Sequence, residues 1–383
     1  MVSRKRGSLF NTIIMDRETI QREAHAESLK HRRCALEVSM RVGKTRIGLM
    51  HLESHWFAGI RALVVAPNKP IFKSWQDEVV KMNVPHLGEC IKYSTWRSLP
   101  KLKPENYDII YLDEYQAVLP VHELFLAMFG GIIVGLTGTG PKDYTIKGKL
   151  VEKYFPVVFK YTVSEAVSDG ILNNYRIFIH LLDLETEKKY KQTGKNGGSW
   201  WSSEKEVYDY WIDKVEASYG GQRENIMLLK HLKSFPTKVK YTKVLSEYIK
   251  HQLIIFANFK EQADEVCRYS YHSDNPDSKE NLELFCNGII SKMSAVMQIS
   301  AGVTVYGAQA CIVMHAYANN NQLAQRIARC LGLEAHETAD LHVLGYKDTI
   351  DVIWIMNALK DFDQSKIQYI NPSAVYKKMG VTA

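Results

Sequence analysis

Two clusters of residues have types and spacing suited to chemistry on phosphate. In the first, the apolar run Ile109-Ile110-Tyr111-Leu112 ends in adjacent carboxylates, Asp113 and Glu114, followed by Tyr115 and Gln116. Such a run suits a strand buried on both faces of a parallel sheet. Acids at the carboxyl end of that strand stand where open α/β sheets bind ligands. One acid can hold a magnesium ion while its neighbour orients or deprotonates a water. The second cluster is Ser39-Met40-Arg41-Val42-Gly43-Lys44-Thr45, between a strand and a helix. There the amides of a helix start cradle phosphates, a lysine reaches the terminal ones and a threonine takes the metal. The strict phosphate-loop pattern is not met. Val38 occupies its first glycine position, and Arg41 stands where a second glycine is usual.

The elements needed to position these clusters alternate along the chain. Helical spacing over 17–33 precedes a short strand, Cys34-Ala35-Leu36-Glu37-Val38, and a loop and helix at 39–57. A buried strand, Ala62–Ala66, is stopped by Pro67 and followed by a helix at 70–82. The strand at 108–112 leads to a helix near 119–129 and a strand at 131–136. Alternation of this kind specifies a doubly wound α/β sheet with parallel strands. It breaks over 185–222, a polar stretch with Trp200, Trp201, Tyr208, Tyr210 and Trp211, whose aromatics fit a helix face or lobe contact better than base stacking. It resumes with a strand at 253–257, helices at 260–270 and 279–286, and strands near 295–299 and 311–315. A helix at 320–331, a strand at 341–345 and a helix at 349–361 complete it. The parse is 1–165 as a first lobe, 166–240 as a connecting or inserted segment, and 241–383 as a second lobe.

Composition excludes several classes. The chain has 383 residues, 46% hydrophobic and 24% charged, with no apolar run long enough to cross a membrane. The first residues lack a signal peptide's apolar stretch. Six cysteines fall singly at 34, 90, 267, 286, 311 and 330. That spacing offers neither a zinc site nor a disulfide framework and suits a reducing cytoplasm. Net charge is +7, and residues 1–46 hold eleven basic residues against five acids. A basic surface is compatible with a polyanionic partner such as nucleic acid.

With these motifs in this order, the chain resembles the superfamily-2 helicases and translocases, nearest to phage-type and Swi/Snf-like members. Gln21 stands at the position of a glutamine that reads adenine. Met40–Thr45 resembles motif I. Ala66-Pro67-Asn68, with Trp75-Gln76-Asp77-Glu78, resembles motif Ia, and Tyr93-Ser94-Thr95 motif Ib. Asp113-Glu114-Tyr115-Gln116 matches the DExQ form of motif II, a variant of the DEAD/DEAH box. Leu136–Gly140 resembles motif III. Ile254–Asn258 resembles motif IV, Gln298–Val303 motif V and Gln325–Arg329 motif VI. Asp348-Thr349-Ile350-Asp351 looks like the end of a Swi/Snf-type second lobe.

The resemblance implies two tandem RecA-like lobes with ATP in the cleft between them, and ATP and Mg2+ as cofactors. Arg41, Val42, Gly43, Lys44 and Thr45 would form the phosphate loop, with Lys44 stabilising β and γ phosphate charge. Thr45 and Asp113 would serve the metal, Glu114 would activate the water, and Gln116 would sense the γ-phosphate. Arg329 would reach across as an arginine finger supported by Gln325. Thr137 and Thr139 would couple nucleotide state to lobe position. Pro67, Asn68, Ser94, Thr95, Asn258, Ser300, Gly302 and Val303 would touch a sugar-phosphate backbone without reading sequence. A second motif VI arginine is replaced by Gly332. The activity implied is a DNA-stimulated ATPase that unwinds or translocates on DNA, in phage replication, recombination or repair. A double-strand translocase or remodeller without unwinding, an RNA helicase, and a weakly hydrolysing ATP-binding regulator are the alternatives. A monomer acting in a bacterial cytoplasm is expected, with DNA preferred over RNA.

Overall fold

A computed structural model describes residues 16–193, 197–296, 305, 307–315, 337–360 and 362–381. The chain divides into two compact units, with the main break between Asn173 and Asn174.

The first unit is built on strands β1 (Arg33–Val38), β2 (Ala62–Ala66), β3 (Ile91–Thr95), β4 (Ile109–Asp113), β5 (Ile132–Thr137) and β6 (Val157–Tyr161). Every pairing is parallel, in the order β3-β2-β4-β5-β1-β6. β2 and β4 are buried at every position, as expected for strands covered on both faces. Because β4, β5 and β1 are adjacent, the residues that follow them leave the sheet side by side at one edge.

The first helix runs Arg17–Ser28, shorter than its sequence pattern, and Asp16 caps it by accepting from the Thr19 N–H at 2.7 Å. The helix after β1 begins at Lys44, once the loop at 39–43 is passed. The reason is backbone conformation: Arg41 and Gly43 have φ of +62° and +103°, which no α-helix accommodates. The helix expected at 119–129 is a short 3-10 turn, Pro120–His122, followed by Glu123–Met128.

The second unit contains β7 (Asn174–Leu182), a hairpin of β8 (Tyr190–Thr193) and β9 (Ser199–Ser202), and strands β10 (Leu253–Phe256), β11 (Ser270–Tyr271), β12 (Lys292–Ala295), β13 (Ala310–Val313), β14 (Thr338–Tyr346) and β15 (Ile367–Ile370). Apart from the antiparallel hairpin the described strands pair in parallel, in the order β11-β12-β10-β13-β14-β7-β15. The two sheets are thus both all-parallel α/β sheets, as the alternation of elements specifies.

This unit starts earlier than the sequence parse placed it. β7 pairs with β14 over nine residues and with β15 on its other side. The helices Gln222–Ser234 and Pro236–Tyr248 supply Leu228, Leu232, Tyr241 and Leu245 to the second core. Much of 166–240 is therefore body, not connector. β7 escapes a sequence reading because Asn174 and Arg176 on its exposed positions and the buried His180 interrupt the apolar run. The strand expected near 295–299 lies at 292–295. The helix expected at 320–331 falls outside the described residues.

Candidate active site

At the shared edge of β4, β5 and β1, the phosphate loop and the acids meet. Asp113 is the last residue of β4 and is buried. Its Oδ2 accepts from the Trp75 indole N–H at 2.8 Å, and its Oδ1 accepts from the Glu114 N–H at 2.9 Å. The Trp96 indole donates to the Asp113 carbonyl at 3.1 Å. Burial, and then the neighbouring Glu114 carboxylate, push the Asp113 carboxyl up to about 6, against the opposing pull of the Trp75 hydrogen bond and the Lys44 ammonium.

Glu114 has φ +51°. A left-handed non-glycine residue carries backbone strain of roughly 1–3 kcal/mol and is found where geometry is imposed for function. The bend starts the 3-10 turn Tyr115–Ala117. Glu114 Oε2 accepts from Gln116 Nε2 at 2.6 Å, and Gln116 Oε1 accepts from the Thr137 hydroxyl at 2.5 Å. That hydroxyl has one proton to give, so its longer approach to Glu114 Oε2, 3.3 Å, is the weaker one. Thr137 also receives the Thr139 N–H at 3.3 Å. Lys147 Nζ donates to the Gln116 carbonyl at 2.8 Å, and burial lowers its pKa. The turns after β4 and β5 therefore share one hydrogen-bonded chain, Thr137–Gln116–Glu114, that fixes the orientation of Glu114.

Lys44 opens its helix, and Thr45 follows it; no side chain caps the helix start. The Lys44 amine lies beside Gly138, where an added Cβ would sit 3.6 Å from Nζ. Among the described residues Ser39 Oγ and Asn68 Oδ1 are buried without a hydrogen-bond partner. The pieces fit a nucleotide phosphate with a divalent metal. They comprise a helix start free of acidic residues in its first turn, an ammonium, a hydroxyl on Thr45, a carboxylate, and an orphaned hydroxyl where the loop begins.

Gln21 is buried and its Nε2 donates to the Val42 carbonyl at 2.5 Å. A Cβ on Gly43 would come within 2.5 Å of that nitrogen, and its φ of +103° strains any residue but glycine. Gln21 thus holds the loop itself. Arg41, at φ +62°, sits partly exposed in the same loop.

Several supports have no signal as chemistry in the sequence. Tyr115 is buried and donates to Glu37 Oε1 at 2.9 Å, while Lys160 lies 3.1 Å from the same carboxylate. Gly140 packs against this group; a Cβ there would fall 2.0 Å from Glu37 Oε1. The Trp75 and Trp96 indoles are a second case, since only the fold brings them to Asp113.

The residues expected to meet a nucleic-acid backbone divide. Pro67 and Asn68 follow β2, and Ser94 and Thr95 end β3, whose Thr95 pairs with Ala66. All four stand at the same sheet edge as the phosphate site. Thr95 Oγ1 donates to Ser98 Oγ at 3.1 Å. Asn258 follows β10 in the second unit, its N–H on Gln262 Oε1 at 3.3 Å. Ser300, Gly302 and Val303, and the motif VI residues Gln325 and Arg329, lie outside the described residues.

The Asp348–Asp351 feature belongs to a buried ion pair. Lys238 and Asp351 are 1% and 0% exposed and 2.6 Å apart. Asp351 Oδ2 also accepts from the Tyr346 N–H at 3.1 Å, and His315 lies 3.5 Å from Oδ1. Among the described residues no group of His, Cys, Asp or Glu has the arrangement of a metal site, and no helix is long and apolar enough to cross a membrane.

No family model and no curated protein sequence matches the chain. Solved structures do. The helicase domain of Hef from Pyrococcus furiosus matches with a TM-score of 0.52 at 14% identity, over 88% of this chain and 97% of that one. Dbp5 from S. cerevisiae, bound to RNA and ADP BeF3, matches with a TM-score of 0.56 at 12% identity, over 94% of this chain and 92% of that one. The ATP-dependent Type ISP restriction-modification enzyme LlaBIII, bound to DNA, matches with a TM-score of 0.56 at 13% identity over 92% of this chain. This chain spans 31% of LlaBIII. The fold, two tandem RecA-like units, is shared with these helicase structures.

Proposed function

We propose that this chain is an ATP-driven nucleic-acid motor whose phosphate chemistry is done by the first unit. The observation that carries the reading is the convergence, at the ends of three adjacent strands, of Lys44, the Asp113–Glu114 pair and the Thr137–Gln116–Glu114 chain. Lys44 neutralises terminal phosphate charge, a preorganised electrostatic role. Glu114, held by Gln116, accepts the proton of the attacking water. Asp113 and Thr45 would hold a magnesium ion, which when bound supplies further charge neutralisation at the phosphates. Gln116 and Thr137 report the state of that site to the turn at 137–140.

The neighbours bound to DNA or RNA support a nucleic-acid substrate. Pro67, Asn68, Ser94 and Thr95 are the first unit's candidates for the backbone track and Asn258 the second's, with Ser300, Gly302 and Val303 added from the sequence. The finer assignment rests on sequence. The DExQ tetrad, Trp75 and the Thr349-Ile350-Asp351 feature favour DNA over RNA, and the motif set favours a phage-encoded motor in replication, recombination or repair. Arg329, with Gln325, is the proposed arginine finger, standing alone because Gly332 replaces its usual companion.

Steady-state ATP hydrolysis with Mg2+, measured alone and with single- and double-stranded DNA and RNA, tests the reading. Stimulation by DNA is expected, and its loss in Arg329→Ala. Unstimulated turnover, or wild-type turnover in Arg329→Ala, contradicts the corresponding assignment. Forked-duplex unwinding beside triplex displacement separates a helicase from a double-strand translocase.

A further inference from the structure

The hairpin of β8 and β9 exposes two tryptophans that no packing explains. Its register pairs Tyr190 with Ser202, Lys191 with Trp201, and Gln192 with Trp200. Side chains alternate across a strand, so Tyr190, Gln192, Trp200 and Ser202 share one face, and Lys191 and Trp201 share the other. Only the base of the first face is anchored. Tyr190 packs edge-on to Phe235 at 5.2 Å and its hydroxyl lies 3.2 Å from His231 Nδ1, while Ser202 is buried. One rung out, Trp200 is already 50% exposed, and Trp201 on the opposite face is 58% exposed. Adjacent residues of a strand that covers a core would place one indole in and one out. Here both are out.

Of the other aromatics of this segment, Tyr210 is also exposed, at 55%, and two are packed. Tyr208 is part of the second core, and Trp211 packs against it and stacks on His231 at 5.8 Å. A helix face therefore describes Tyr208 and Trp211, whereas Trp200 and Trp201 lie on a strand. Charge adds a second observation. Lys188 pairs with Glu206, and Lys189 with Glu185 and Glu187. Lys191, opposite Trp201, is exposed and has no ion pair among the described residues.

We propose that the β8–β9 hairpin is a stacking arm for single-stranded nucleic acid: Trp200 and Trp201 receive unstacked bases and Lys191 meets a neighbouring phosphate. The inference rests on the nucleic-acid reading above and adds a contact that backbone-tracking residues at strand ends do not provide. An indole face accepts any base, so the contact is sequence-tolerant, and it requires bases freed from a duplex. The anchored base holds the arm while the solvated rungs stay accessible on both faces.

Titration of the full chain with dT20, following tryptophan emission and affinity together with DNA-stimulated ATP hydrolysis, tests the proposal. Wild type is expected to show quenching on binding. Trp200→Ala/Trp201→Ala is expected to lose most of that quenching and to bind about 10-fold or more weakly, with its thermal midpoint and unstimulated ATPase unchanged because the indoles support no core. Trp200→Phe/Trp201→Phe is expected to restore most of the affinity. Lys191→Ala is expected to flatten the salt dependence by about one unit of slope. Wild-type affinity and quenching in the alanine variant, in a chain whose hydrolysis DNA does stimulate, overturns the arm while leaving the motor standing. A wild type that neither binds dT20 nor responds to it overturns both.

Discussion

The two units use the same kind of sheet and treat buried charge in opposite ways. At the edge of the first, like charges are adjacent: Asp113 and Glu114 follow one another, one buried and pushed up to about 6, the other at φ +51°. In the second, opposite charges are matched, with Lys238 and Asp351 2.6 Å apart and both excluded from water. A matched buried pair holds structure once made and offers little to a ligand. Adjacent acids held in place by indole and amide donors are unfavourable alone and are relieved by a cation or a proton. That contrast distinguishes a candidate site for chemistry, at the edge of the first unit, from a strut in the second.

Four substitutions sharpen the contrast, in descending order of effect. Lys238→Met leaves Asp351 buried without its counter-ion and should cost roughly 3–5 kcal/mol of stability, read by denaturant unfolding. Lys238→Met/Asp351→Leu should recover most of it, and a double variant no better than the single would remove the strut assignment. Lys44→Ala should lower ATP turnover by about 10²–10³-fold with little change in unfolding. Asp113→Asn tests the like-charge pair. The folded carboxyl at about 6 lies above its ordinary value of 3.8. The folded state therefore holds a proton that the unfolded state has released, and stability present below pH 4 is lost as pH rises through 6. Asn should thus be more favourable at pH 8 than near pH 4 by roughly 2–3 kcal/mol, on top of a pH-independent loss because it keeps one of the two acceptor oxygens used by the Trp75 and Glu114 N–H groups. Equal effects at both pH values would show that Asp113 is not strained. Gly140→Ala, with its Cβ forced against Glu37 and Tyr115, should cost about 1–3 kcal/mol.

How much of this was legible in the sequence follows from how local each signal is. Asp113-Glu114 and Gly43-Lys44-Thr45 are read from continuous stretches, and alternating strands and helices specify the parallel sheets. The positions of Trp75 and Trp96 on Asp113 depend on which strands become neighbours, which no local pattern encodes. Lys238 is hidden for the same reason, since its partner lies 113 residues away. β7 was missed because polar residues on its exposed side mask its burial. Trp200 and Trp201 were visible as aromatics, but only the hairpin register shows that they face opposite ways.

The central claim, that the first unit is a hydrolytic site oriented by the Thr137–Gln116–Glu114 chain, is tested most directly with Glu114→Gln. This change keeps size and one oxygen that can accept from Gln116, and removes the base. Single-turnover hydrolysis of ATP with Mg2+ and DNA, measured beside ATP binding, should show binding retained and the hydrolytic step slowed about 10²–10⁴-fold. Hydrolysis at the wild-type rate in Glu114→Gln would contradict the account.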